Sequence, residues 1–121
     1  MPMEGGIETI DSILTSIKLS LGITEDYEYF DQQIITHINS VFMLLNQLGV
    51  GPEKGFYITD KSSTWNDFVK KSENLEMVKS YMCLKVQLLF DPPASSFVME
   101  SMNRMINEFE WRLKVAAETK T

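Results

Sequence analysis

Leu84-Lys85-Val86-Gln87-Leu88-Leu89-Phe90-Asp91-Pro92-Pro93-Ala94-Ser95-Ser96-Phe97 is the stretch that decides the fold. An apolar run at helical spacing meets two prolines, and a second amphipathic pattern starts within a few residues. Pro92 lacks the N–H that a continuing helix requires, and Pro93 drives Pro92 out of the α region. Ser95 or Ser96 then stands where the next helix needs an N-cap. Asp91, Pro92 and Pro93 therefore read as a structural elbow that holds two long helices at one angle. Such a corner belongs to a scaffold whose shape matters, not to a catalytic pocket.

Before the elbow, Ser72 or Asn74 opens a helix that runs to Phe90. Its apolar residues (Leu75, Val78, Tyr81, Met82, Val86, Leu88 and Leu89) spread around most of the circumference. Glu76, Lys79, Ser80 and Gln87 leave only a narrow polar strip, which predicts a central helix. After the elbow, Val98, Met102, Met105, Ile106, Phe109 and Leu113 define a last helix, with residues 118–121 frayed. Met102 and Met105 are expected in the core, and Met99 at the edge of the stripe.

Toward the N-terminus, Ile10, Ile13, Leu14, Ile17 and Leu21 mark a helix begun by Thr9 or Asp11 and ended at Gly22. Thr24 is expected to cap a second helix, with Glu25 and Asp26 in its first turn. Its stripe is Tyr27, Phe30, Ile34, Ile38, Val41, Leu45 and Leu48, widened by Ile35, Phe42 and Met43, and Gly49 closes it. Residues 49–55 are loop by composition. Phe56-Tyr57-Ile58-Thr59 carries β-forming residues and reads as an extended arm or one strand of a small hairpin. Thr64, three before Asp67, opens a short helix bearing Trp65, Phe68 and Val69. The expected fold is all-α: one bundle of four to five helices over residues 1–121, its core about 9–117, with an irregular central loop.

Composition narrows the function. Seventeen acidic residues against eleven basic ones give a net charge of −6, which argues against general affinity for nucleic-acid phosphates or anionic membranes. No segment has the apolar length of a membrane span, and the N-terminus lacks the pattern of a secretory leader. Cys83 is the only cysteine. It has no disulfide partner in the chain and reads as a small buried hydrophobe within a helix.

Catalytic chemistry finds little support. His37 is the only histidine, so a metal would have to rest on carboxylates, and Glu25, Glu28 and Asp31 read as a solvated helix start. No nucleophile elbow is present. The glycines near Lys54 fail as a phosphate loop, because Pro52 removes a donor, Glu53 repels anions, and Gly55-Phe56 replaces the required Ser or Thr. No catalytic residue, cofactor or metal is expected.

Two aromatic regions remain. Trp111 lies on a flank of the last helix with Arg104 and Glu108, a composition typical of interfaces. It is either a partner surface or a side covered within one subunit. Phe56, Tyr57 and Trp65 in the central region either fold back over the core or reach a neighbour.

The whole series resembles a known family. Ile13-Leu14-Thr15-Ser16-Ile17-Lys18 with Leu21-Gly22-Ile23 is similar to the opening of small tailed-phage head–tail connector proteins, and Ile38-Asn39-Ser40-Val41-Phe42 with Gln47-Leu48-Gly49-Val50-Gly51 to their second helix. Trp65 with Phe68, Lys79-Ser80-Tyr81, Leu84-Lys85-Val86, Leu88 through Pro93, and Glu110-Trp111-Arg112-Leu113 follow in the same order. The resemblance is to head completion proteins of prophages in Gram-positive bacteria. It implies a structural virion component, made in the host cytoplasm, that forms a ring beneath the portal protein. Such a ring extends the DNA channel, lets DNA pass without specific binding, and meets a tail-side head-completion or tail protein. Carried onto this sequence, the expected contact residues are Phe56, Tyr57, Ile58 and Trp65 in the middle and Arg104, Glu108, Trp111 and Arg112 on the last helix. The competing expectation is a small acidic phage-encoded regulator that binds a host protein.

Overall fold

A computed structural model describes residues 11–69 and 74–119. Among the described residues five helices follow in order: α1 (Ile13–Ser20), α2 (Asp31–Gln47), α3 (Trp65–Phe68), α4 (Leu75–Phe90) and α5 (Ser96–Thr119). There is no strand among the described residues, only an isolated bridge between Ser12 and Thr64. The all-α reading holds.

Helix α1 starts after Ser12, whose Oγ accepts from the Thr15 N–H and donates to the Lys61 carbonyl at 2.7 Å. Ser12 therefore caps α1, not Asp11; Thr9 and Ile10 lie outside the described residues. The Asp11 carbonyl instead accepts from the Trp65 N–H, and the Ile13 N–H bonds the Ser63 carbonyl. The central segment is thus sewn along the start of α1. At the other end the Gly22 N–H bonds Leu19 O and the Ile23 N–H bonds Lys18 O. This is a Schellman closure that needs the positive φ of Gly22. Gly49 closes α2 in the same way, through the Gly49 N–H to Asn46 O and the Val50 N–H to Leu45 O.

Helix α2 begins at Asp31, seven residues after the cap expected from sequence. Thr24 Oγ1 donates to Asp26 Oδ1 instead of receiving a helical N–H. The Glu25 carbonyl, which a helix from Thr24 would give to the Tyr29 N–H, accepts the ammonium of Lys18 at 3.0 Å. Lys18 is only 2 % exposed and also lies 2.7 Å from Asp31 Oδ1. One buried cation thus joins the end of α1, the connecting turn and the start of α2. Ile34, Ile35, Ile38, Val41, Phe42 and Leu45 enter the core as expected, whereas Tyr27 and Met43 are exposed.

Helix α4 follows Asn74; Ser72 lies outside the described residues. It packs against α1, α2 and α5, as a central helix must, with Val78, Tyr81, Met82 and Val86 fully covered. Cys83 is half-buried against the core. The elbow turns as anticipated. The Asp91 N–H ends α4 on Gln87 O, the Gln87 side chain returns a bond to Asp91 O, and Ser95 Oγ accepts from the Val98 N–H.

Helix α5, at 24 residues about 36 Å long, has α4 as its main helical neighbour. Ile106 and Leu113 are buried and Met102 and Phe109 are half-buried, but Val98 and Met105 are 43 % and 49 % exposed. The Tyr81 hydroxyl donates to Glu110 at 2.7 Å, a register that sets Phe90 level with Ser101. The first turn of α5 therefore runs past the end of α4, which leaves Val98 uncovered. Glu118 and Thr119 are helical rather than frayed.

Candidate functional site

With its main packing on one side, α5 presents an opposite face to solvent. At 3.6 residues per turn, Phe97, Arg104, Glu108, Trp111 and Val115 align along it. Phe97 is 75 % exposed and Trp111 66 %. Arg112 lies at the margin and donates to Glu108 at 2.7 Å, an i, i+4 pair exposed at both ends. Such a pair contributes about 0.3–0.5 kcal/mol, so it adds little to stability. Ser101, Arg104, Met105, Glu108 and Phe109 line an open groove of about 310 Å³ on this flank. Arg104, Glu108, Trp111 and Arg112 are therefore together and accessible.

The central residues divide. Trp65 is fully buried, its indole N–H donating to Ser16 Oγ at 2.9 Å, with the Lys79 ammonium 5.9 Å from the ring centroid. Its helix opens with the expected capping box: Thr64 Oγ1 accepts from the Asp67 N–H, and the Asp67 carboxylate from the Thr64 N–H. Ile58 is 1 % exposed. Its backbone N–H donates to Asn39 Oδ1 at 2.8 Å and its carbonyl accepts from Asn39 Nδ2 at 2.9 Å. One side-chain amide on α2 supplies what a paired strand would have supplied, so Phe56-Tyr57-Ile58-Thr59 is an extended arm without a hairpin partner. Ile58 and Trp65 fold back over the core and lie buried within the subunit, not at the surface where a contact residue would stand.

Phe56 is half-buried and packs edge-on against Phe42 and Phe68, at 5.0 and 5.3 Å between centroids. Gly51 touches the same cluster, since a Cβ there would collide with the Phe68 ring. Tyr57 alone of the four is strongly exposed, at 70 %. It lines an open groove of about 580 Å³ with Asn39, Met43, Lys54 and Phe56 among others.

Sequence reasoning missed a third aromatic surface, because it assigned Tyr27 and Phe30 to the core stripe of α2. In the turn before α2, Tyr27 and Tyr29 are 51 % and 79 % exposed. Tyr29 stacks edge-on to Phe30 at 4.9 Å, and Phe30 edge-on to Phe90 at 5.2 Å. Glu25, Asp26 and Glu28 interleave with these rings. That alternation of acids and aromatics was the available signal.

No group of three or more His, Cys, Asp and Glu side chains is placed to hold a metal ion among the described residues. His37 is half-buried, with Nε2 unpaired. Burial and the neighbouring Glu110 carboxylate raise the Tyr81 phenol well above its ordinary range. That tyrosine is fully buried and its hydroxyl is committed to Glu110, so it braces α4 against α5. Among the described residues no helix is long and apolar enough to cross a membrane.

Comparison with known proteins gives one result. The family model described as phage connector protein matches residues 13–120. No curated protein and no solved structure matches the chain.

Proposed function

The chain belongs to the phage connector protein family, and from that premise we propose that its copies form a ring beneath the portal. The ring extends the DNA channel and joins the capsid to the tail. The observation that carries this reading is the bare outer face of α5, where Trp111 and Phe97 stand exposed beside Arg104 and the Glu108–Arg112 pair.

A closed ring is a head-to-tail assembly and requires two different complementary surfaces per subunit. The α5 face provides one, and separate exposed aromatics at Tyr57 and at Tyr27 and Tyr29 provide others. The elbow supports the same reading. Every subunit of a ring turns by the same amount, and Asp91-Pro92-Pro93 sets the angle at which α5 leaves α4. The acidic balance of the chain also suits a channel wall, since phosphate should slide past it.

Trp111→Ala tests the proposal. The indole is 66 % exposed, so folding stability is expected to stay within about 0.5 kcal/mol of wild type. Incorporation into virions, measured by quantitative mass spectrometry, is expected to fall about tenfold or more, as for loss of an aromatic hot spot. Full incorporation of the variant would remove the α5 face from the interface.

A further inference from the structure

We propose that Tyr29 and the carboxylates beside it dock into the Arg104 groove on α5 of a second copy of this chain. This proposal rests on the connector reading and names the two surfaces that meet.

Tyr29 is the most exposed large apolar side chain among the described residues, at 79 %. It is nevertheless held in place, because its ring leans edge-on against Phe30, which is pinned edge-on against Phe90. A protruding aromatic on a fixed base loses little freedom when it is buried by a partner. Around it, Asp26 and Glu28 meet no cation among the described residues, and Glu25 has only Lys61 at 3.9 Å. The surface is an aromatic knob in a negative collar.

The α5 flank has the complementary form. Its groove of about 310 Å³ is lined by the apolar Met105 and Phe109 together with Arg104. Arg104 makes no ion pair among the described residues. The other charge at the groove, Glu108, is already neutralised by Arg112. An arginine in that position can stack on a tyrosine face and pair with a neighbouring carboxylate. Knob and groove are different surfaces of one subunit, so their union is heterologous and propagates from copy to copy. A second copy fits better than an unrelated partner, because the unpaired cation and the unpaired carboxylates complement each other within a single sequence.

Cross-linking in virions of the phage that encodes the chain tests this, in a Cys83→Ser background that removes the native thiol. Gln32→Cys, at an exposed position three residues after Tyr29, and Ser101→Cys mark the two surfaces while leaving Tyr29, its carboxylates and Arg104 intact. A short bismaleimide is expected to convert the doubly substituted chain into a ladder of multimers. An equal mixture of the two singly substituted chains is expected to stop at dimers. Adding Arg104→Glu is expected to reduce the ladder about tenfold or more. Virions that contain the doubly substituted chain but yield only monomers would overturn the proposal and leave the connector reading intact. Absence of the unsubstituted chain from virions would overturn both.

Discussion

Replacing Asn39 by alanine is expected to destabilise the protein through a residue it does not adjoin in sequence. The Asn39 amide satisfies both backbone groups of Ile58, a residue 1 % exposed and 19 positions away. Without it, one N–H and one C=O lose their partners, each at about 1–3 kcal/mol if water cannot replace the amide. Asn39 also lines the open groove beside Phe56 and Tyr57, so water can enter the vacated space. That places the loss near the lower bound for two groups, about 2 kcal/mol. With a urea dependence of about 1.5 kcal/mol per molar, the unfolding midpoint should fall by about 1 M. The Ile58 amide should lose its protection against hydrogen exchange before the amides of α2 and α4 do. Asn39→Asp is a sharper probe, because it keeps the acceptor for the Ile58 N–H while opposing a carboxylate to the Ile58 carbonyl. At pH 7 it is expected to cost at least as much as alanine, and to recover part of the loss below about pH 4, where a protonated acid can donate. A loss under about 0.5 kcal/mol for Asn39→Ala, within the range of ordinary surface substitutions, would refute the clamp.

Three further outcomes follow from the packing. Lys18→Met leaves Asp31 and the Glu25 carbonyl without their buried cation and is expected to cost about 3 kcal/mol in chemical denaturation, whereas Lys18→Met with Asp31→Leu should recover most of it. Because the Tyr81 phenol is raised in the folded protein, its stabilising effect is complete below the ordinary tyrosine range and fades as pH rises above about 10, where only the unfolded chain ionises readily; a urea titration from pH 8 to 11 should show a steeper decline for wild type than for Tyr81→Phe. Pro92→Ala with Pro93→Ala is expected to impair incorporation into virions more than it lowers the unfolding midpoint, and unimpaired incorporation would reduce the elbow to a simple connection.

Much of this fold was legible in residue spacing. Ile34, Ile38, Val41 and Leu45 recur at helical intervals and all enter the core. Thr64 with Asp67, the glycines at 22 and 49, and Ser95 after the double proline each acted locally, through hydrogen bonds to backbone a few residues away. The errors came where a side chain acted at a distance. Lys18 follows Leu14 by four residues and so falls within the apolar stripe of α1, but a periodicity argument treats it as a polar exception. Its burial takes the Glu25 carbonyl and delays α2 to Asp31, which frees Tyr27 and Tyr29 for the surface. For the same reason Trp65 was open between core and surface, and Ile58 was expected among the contact residues. Their burial depends on Ser16, 49 positions from Trp65, and on Asn39, and no local pattern encodes those contacts. Of the proposed contact surfaces, the α5 face was readable because helical geometry alone puts Arg104, Glu108 and Trp111 together. The acidic aromatic knob was concealed by the misplaced start of α2.

The central claim is that this chain occupies the junction between head and tail as a ring. Single-particle electron cryo-microscopy of the portal vertex, with and without the gene for this chain, tests it most directly. The account predicts a closed ring of helical subunits between portal and tail in wild-type particles, with the outer face of α5 at the subunit boundary. It further predicts that this layer vanishes, and tails fail to attach, when the chain is absent. A vertex that carries the same density and the same tails without the chain would contradict the account.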